Sequence, residues 1–97
     1  MNRKAILDKL SKETPTMRAQ FGVRDLALFG SYGRDEARRD SDLDVLVAFE
    51  GKADFDRFMG LKLHLEDLFG LRIDLVTHAA LRPELREIIE AEAVHVP

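Results

Sequence analysis

Two short segments carry most of the residues that could perform chemistry. The first is Gly30-Ser31, which directly follows an apolar run. The second is Asp42-Leu43-Asp44, at the start of the next apolar run. A glycine lets backbone amides approach a phosphate closely, and adjacent carboxylates repel each other unless a cation lies between them. Together the segments predict a phosphate-binding turn beside a site for a hard cation such as Mg²⁺.

The spacing of the two aspartates predicts that they share one face of a strand. Side chains alternate across a strand, so Asp42 and Asp44 point the same way while Leu43 turns to the opposite, core-facing side. A third carboxylate, Asp74, interrupts another apolar run and is costly to bury without compensation. If its strand lies beside residues 43–49, we expect three carboxylates on one face. Such a group would hold one or two Mg²⁺ ions for phosphoryl chemistry.

Basic residues after the glycine–serine turn supply the opposite charge. Arg34 is expected to neutralise phosphate charge, whereas Arg38 and Arg39 are expected to be solvated. Each feature alone also has an ordinary structural explanation. The aspartate pair could cap a turn, the glycine–serine pair is a common turn sequence, and the third aspartate could face solvent at a strand end. Their occurrence together, in this order and at strand ends, favours a functional site.

Periodic apolar residues predict the elements that position these groups. We expect a first helix over 2–13, an interruption at Thr14-Pro15 and a new helical turn that continues to Phe21. Further predicted elements are strands over 24–29, 43–49, 71–77 and 93–96, helices over 53–69 and 83–91, and a helical turn within 35–41. The stripe expected to pack in the core from helix 53–69 comprises Phe55, Phe58, Met59, Leu65, Leu68 and Phe69. The order predicts an α/β (α+β) fold with a small mixed β-sheet flanked by helices.

Length and composition exclude several classes of protein. The 97 residues predict one domain over 1–97, and the absence of cysteine excludes disulfides and thiolate metal sites. The formal net charge of −3 gives no reason to expect binding to long nucleic acid. No apolar run approaches the roughly 20 residues of a membrane span, and the N-terminus lacks the apolar core of a signal peptide. We therefore expect a cytoplasmic protein.

The spacing of the motifs resembles the signature of the DNA polymerase β-like nucleotidyltransferases. Ten residues separate Gly30-Ser31 from Asp42-x-Asp44, and Asp74 matches the third family aspartate within Arg-Ile-Asp-Leu-Val. The short chain is similar over nearly its whole length to the minimal nucleotidyltransferases, the MNT or MntA-like antitoxins. One departure is Asp35, which stands where the family commonly has a small residue, often glycine.

The resemblance implies a role for each matching residue. The Asp-x-Asp pair would coordinate the Mg²⁺ ions that bridge the triphosphate of ATP. Asp74 would bind the catalytic metal and help to activate the attacking hydroxyl. Gly30 and Ser31 would hold the β- and γ-phosphates, with Arg34 beside them. The implied partner is a HEPN-domain toxin, to which the antitoxin transfers AMP on a tyrosine.

Other functions remain open from the sequence alone. A non-catalytic antitoxin could mask a toxin by contact only. A stand-alone transferase could act on a small molecule, and self-association could then build the acceptor site that so short a chain lacks. Elongation of a nucleic acid is disfavoured by the acidic net charge and by the lack of a basic groove with aromatic residues.

Overall fold

The chain begins with a long helix, α1 (Arg3–Phe21), in a computed structural model that describes residues 2–38 and 40–97. The Asn2 side chain caps its first turn by accepting the Ala5 N–H at 2.9 Å. Gly22 ends the helix in the left-handed conformation, with φ of 66°, which a residue without a Cβ adopts at little cost. Helix α1 therefore has a defined start and end at residues that favour those positions.

Helix α1 passes through Pro15 without a break, so the predicted interruption at Thr14-Pro15 is wrong. Proline has no N–H to donate, which is why the sequence predicts a break there. Buried residues on both sides of it, Leu10 and Met17, hold the helix against the core. The Thr14 hydroxyl also donates to the Leu10 carbonyl at 3.0 Å. Packing thus outweighs the local cost of the proline.

Four strands form one mixed sheet, as predicted. They are β1 (Val23–Phe29), β2 (Leu43–Phe49), β3 (Ile73–Thr77) and β4 (Val94–His95), in the order β3-β2-β1-β4. Strand β1 pairs antiparallel with both β2 and β4, whereas β2 and β3 run parallel. The parallel pair brings the starts of β2 and β3 to the same end of the sheet.

The remaining helices are α2 (Gly30–Gly33), α3 (Phe55–Phe69) and α4 (Pro83–Glu92), with a 3₁₀ turn at His78–Ala80. The helical turn predicted within 35–41 is misplaced, because the short helix α2 forms earlier, over the Gly-Ser segment itself. Asp35, with φ of 58°, follows α2 and redirects the chain. Within the described part of the chain, no helix is long and apolar enough to cross a membrane.

The two faces of the sheet are covered unequally. Helices α1 and α3 pack on one face, and the fully buried side chains there are Ile6, Leu10, Met17, Leu28, Leu43, Val45, Val47, Leu61 and Leu65. The other face carries a smaller cluster of Ala27, Leu46 and Leu81, against which Phe29, Val76, Ile89 and Ala93 pack. The acidic residues of interest share this thinner face with Leu46 and Val76, by the alternation of side chains along β2 and β3.

Phe55 is 75% exposed, so its predicted place in the core is wrong. The buried stripe of α3 is centred on Leu61 and Leu65, which are fully buried. At about 100° per residue, Phe55 lies about 100° from the centre of that stripe. It is also the first residue of α3, where the sheet-facing stripe has only begun.

Candidate active site

The starts of β2 and β3 bring two of the predicted acidic residues together. Asp44 is the register partner of Asp74 in the parallel pair, so the two carboxylates lie side by side on one face. Asp44 is half-buried and Asp74 is exposed. On its other side, Asp44 pairs with Phe29 of β1, the residue immediately before Gly30. The structure thus joins the glycine–serine turn, Asp44 and Asp74 across three adjacent strands.

Gly30 lies directly against the Asp44 carboxylate. A Cβ at Gly30 would overlap Asp44 Oδ2 and would lie 2.9 Å from its Cγ. Gly30 also has φ of 64°, a conformation that other residues adopt at a cost. The sequence suggested glycine for the close approach of a phosphate, and the structure adds the close approach of a carboxylate. Both requirements place the turn and the acidic group in one site.

The environment of Asp44 raises its pKa from 3.8 to about 6. Burial is the largest cause, followed by the charge of Asp74 and a side-chain hydrogen bond with it. The charge of Asp42 acts in the same direction, and Arg34 acts weakly against it. Each of the raising effects disfavours a negative charge that a bound cation would favour. Hard carboxylate oxygens in a half-buried, like-charged group fit Mg²⁺.

Asp42 is less closely associated than the other two acids. It is exposed, and its effect on Asp44 is through charge alone. Across residues 2–38 and 40–97, no three His, Cys, Asp or Glu side chains already stand at the distances of a metal site. The structure therefore brings Asp44 and Asp74 into contact and leaves Asp42 exposed nearby.

Arg34 lies beside the site, but its guanidinium contacts two glutamates. Nε is 3.3 Å from Glu36 and Nη1 is 3.5 Å from Glu92, the last residue of α4. No local pattern in the sequence predicts the Glu92 contact, which joins residues 58 positions apart. Arg38 is exposed, as predicted. Arg39 lies outside the described residues.

Asp35, the departure from the family pattern, turns toward the start of α1. Its Oδ1 accepts the Arg3 backbone N–H at 3.2 Å, and Arg3 Nη1 donates to the Gly33 carbonyl at 3.2 Å. A carboxylate at a helix N-terminus is favoured by the unpaired amides there. The left-handed φ of 58° at Asp35 is a conformation that glycine adopts at less cost than aspartate. Sequence reasoning missed this contact because the partners are far apart in the chain.

Ser31 and Tyr32 have different surroundings within α2. Tyr32 is only 3% exposed and belongs to the core, which anchors the turn from below. The Ser31 hydroxyl makes no hydrogen bond with any residue that the structure describes, and the side chain is half-buried. Ser31 is therefore available to a ligand at the same turn as Gly30.

The nucleotidyltransferase domain model matches residues 7–96, and the chain belongs to that family of enzymes. The chain is 42% identical over 87 residues to the protein adenylyltransferase MntA of Thermococcus cleftensis, covering 90% of this chain and 88% of the relative. The recognition of the family from its Gly-Ser and Asp-x-Asp motifs is thereby confirmed.

Solved structures agree with the fold. A protein assigned as a minimal nucleotidyltransferase superposes with a TM-score of 0.82 at 39% identity, covering 97% of this chain and 95% of its own. A tri-AMPylated Shewanella oneidensis HEPN toxin in complex with its MNT antitoxin contains a chain with a TM-score of 0.66 at 16% identity, covering 94% of this chain and 71% of that one. The second match shows likeness of fold alone.

Proposed function

We propose that residues 1–97 form a single nucleotidyltransferase domain that transfers AMP from ATP to a hydroxyl of a partner protein. The observation that carries the proposal is the contact between Gly30 and Asp44 with Asp74 alongside. The name of the Thermococcus relative and the AMPylated state of the Shewanella complex support a protein acceptor. The partner that we propose is a HEPN-domain toxin, which this chain would neutralise.

The order of the strands suggests where each part of the substrate lies. Gly30 and Ser31 follow β1, Asp42 and Asp44 stand at the start of β2, and Asp74 stands on β3. We infer that the β- and γ-phosphates bind over α2 and the α-phosphate over β2. The acceptor hydroxyl then approaches from the side of β3.

The chemistry follows from this arrangement. The acceptor oxygen attacks the α-phosphorus, a new P–O bond forms, and the bond to the β-phosphate oxygen breaks to release pyrophosphate. Asp74, the exposed carboxylate on the acceptor side, takes the proton of the hydroxyl. Ser31 and Arg34 hold the departing phosphates, which requires Arg34 to exchange its glutamate contacts for phosphate oxygens. The carboxylates of Asp42, Asp44 and Asp74 would hold Mg²⁺, which when bound neutralises phosphate charge.

The direct test is the intact mass of the partner after incubation. The chain, ATP and MgCl₂ are mixed with the product of the neighbouring gene, and both proteins are weighed by mass spectrometry. We expect the partner to gain one or more adenylate units. An Asp42→Asn/Asp44→Asn double variant should yield none while still forming the complex. Asp25→Asn, which alters an exposed aspartate on β1, is the matched control and should transfer AMP like the parent chain.

Two other outcomes would replace the proposal. A stable complex without any mass change would indicate an antitoxin that acts by contact alone. Neither a complex nor a mass change would leave transfer to a small molecule, to be sought by following pyrophosphate release with candidate hydroxyl compounds.

A further inference from the structure

A polar cavity opens beside Asp42, toward the edge strand β3 and away from the Gly30 turn that follows β1. Its volume is about 400 Å³, and it lies between the segment that precedes β2 and the segment that precedes β3. The lining residues are Asp40, Ser41, Asp42, Gly70, Leu71 and Arg72. The Leu43 N–H donates to the Arg72 carbonyl at 2.9 Å, which fixes the two segments relative to each other.

Arg72 is the cationic residue of this cavity. Ile73, the next residue, is buried in the core under the sheet, so alternation places Arg72 on the opposite face, with Asp74. Arg72 is exposed, and its guanidinium makes no hydrogen bond or ion pair with any residue in 2–38 or 40–97. Asp40 and Asp42 line the same cavity, yet neither pairs with it. The exposed Arg18 on α1 likewise has no such contact among the described residues, so the place of Arg72 in the cavity distinguishes it.

The position of the cavity relative to the proposed substrate indicates which part of the reaction it serves. The proposed triphosphate occupies α2 and the start of β2, and β3 is the edge strand beyond them. A group beside Arg72 would therefore adjoin the acceptor hydroxyl at Asp74, away from the departing pyrophosphate. This step rests on the proposed function.

We propose that this cavity is the acceptor subsite and that Arg72 binds an anionic group, a phosphate or a carboxylate, carried by the acceptor next to its reacting hydroxyl. A guanidinium group binds both anions through paired N–H donors. The surrounding carboxylates repel such an acceptor, and Mg²⁺ on them would reduce that repulsion. Arg72 then supplies the attraction that selects an anionic acceptor over a neutral one.

Binding of an anion can be measured without turnover. The ¹⁵N-labelled chain, saturated with Mg²⁺ and a non-hydrolysable ATP analogue, is titrated with inorganic phosphate while backbone amides are followed by NMR. We expect saturable shifts at residues 40–43 and 70–73, with affinity about tenfold weaker in Arg72→Gln and partly restored in Arg72→Lys. Arg18→Gln, a change at an exposed arginine on α1, should match the parent. Shifts that do not saturate, or that persist unchanged in Arg72→Gln, would overturn the proposal.

Paired acceptors then separate the two sources of the anion. AMP is compared with adenosine, and a tyrosine peptide with glutamate neighbours is compared with its glutamine counterpart. We expect the KM of the anionic member to be about tenfold lower in at least one pair, and Arg72→Gln to bring that ratio toward one. The pair that shows the difference identifies phosphate or carboxylate.

Failure of the subsite and failure of the function look different. Transfer of AMP with equal KM for both members of each pair would overturn the subsite and leave the function standing. Absence of AMP transfer to every acceptor, the neighbouring gene product included, would contradict the function. The phosphate titration would then still decide whether Arg72 forms an anion site.

Discussion

At the C-terminal end of strand β2, backbone carbonyls surround the guanidinium group of Arg57. It donates to Phe21 at 2.9 Å, Lys52 at 2.6 Å, Gly22 at 3.1 Å and Glu50 at 3.0 Å. The group also lies 5.3 Å from the centre of the Phe49 ring. These oxygens satisfy the hydrogen-bond donors of Arg57 within the chain. The same contacts connect α1, β2 and α3.

At the opposite end of β2, Asp44 has the reverse surroundings. Its nearest charged neighbours are other carboxylates, which with burial raise its pKa to about 6. The adjacent cation, Arg34, is shared with Glu36 and Glu92. One end of the strand is thus complete within the chain, whereas the other groups like charges beside a cation, Arg34, that is shared with two glutamates. Incomplete charge compensation of this kind is typical of functional sites, whereas completed compensation serves the fold.

The largest effect on stability is expected at the complete end. Arg57→Met removes donors from four carbonyls, and we expect the free energy of unfolding to fall by about 2–4 kcal/mol. The AMP transfer rate of the folded fraction should stay within about twofold, because the acidic site lies at the other end of the strand. Urea unfolding and the transfer assay measure the two quantities.

Arg18→Met provides the control for this change, since Arg18 is exposed near the end of α1. We expect it to alter stability by less than about 1 kcal/mol. An equal loss in both variants would show that Arg57 is an ordinary surface charge, and the contrast between the two ends would disappear.

A pair of glycines sharpens the contrast at the acidic end. Gly30 and Gly51 have φ of 64° and 66°, so alanine should cost each about 1 kcal/mol of stability. A Cβ at Gly30 meets Asp44, whereas a Cβ at Gly51 meets nothing within 4 Å. We expect Gly30→Ala to slow AMP transfer by at least about tenfold and Gly51→Ala to leave it unchanged. Equal transfer rates would show that the contact with Asp44 has no catalytic consequence.

The raised pKa of Asp44 predicts a smaller, pH-dependent effect. The carboxyl has a pKa of about 6 in the folded chain against 3.8 in its unperturbed state, so the folded chain binds its proton more tightly. Stability therefore falls as the pH rises from about 4 to about 6 and stays lower above that range. After allowance for solvent screening, Asp44→Asn should stabilise the metal-free chain by about 1–2 kcal/mol at pH 7.5 and by little at pH 4.

Urea unfolding across this pH range, without divalent cations, measures the effect. Asp25→Asn serves as the reference, because Asp25 is exposed and pairs with Arg24. If Asp44→Asn made the chain less stable at pH 7.5, burial and the neighbouring carboxylates would not disfavour the charged form of Asp44.

Much of the acidic site could be predicted from the sequence, because its information is local. Asp42-x-Asp44 and Gly30-Ser31 are short motifs at strand ends, and alternation along a strand fixes which face each residue takes. The sequence does not determine that β2 pairs in parallel with β3. The prediction of three carboxylates on one face depends on that pairing. The structure supplies that pairing, which places Asp74 beside Asp44.

The complete end could not be predicted, because its contacts are long-range. Arg57 bonds to Phe21 and Gly22, more than thirty residues away, and nothing in its neighbouring sequence marks it. The same applies to the contact of Asp35 with Arg3. Pro15 shows the converse, where a strong local signal for a break is overridden by packing of the helix on both sides.

On the proposed function, the acidic end of β2 requires a cation. Thermal unfolding in MgCl₂, compared with KCl at matched ionic strength, tests it most directly. For millimolar binding, 10 mM Mg²⁺ should stabilise the parent chain by about 1.4 kcal/mol, or raise Tm by about 7 °C, and should not stabilise Asp44→Asn. An equal rise of Tm in both chains, or none in the parent, would contradict the account.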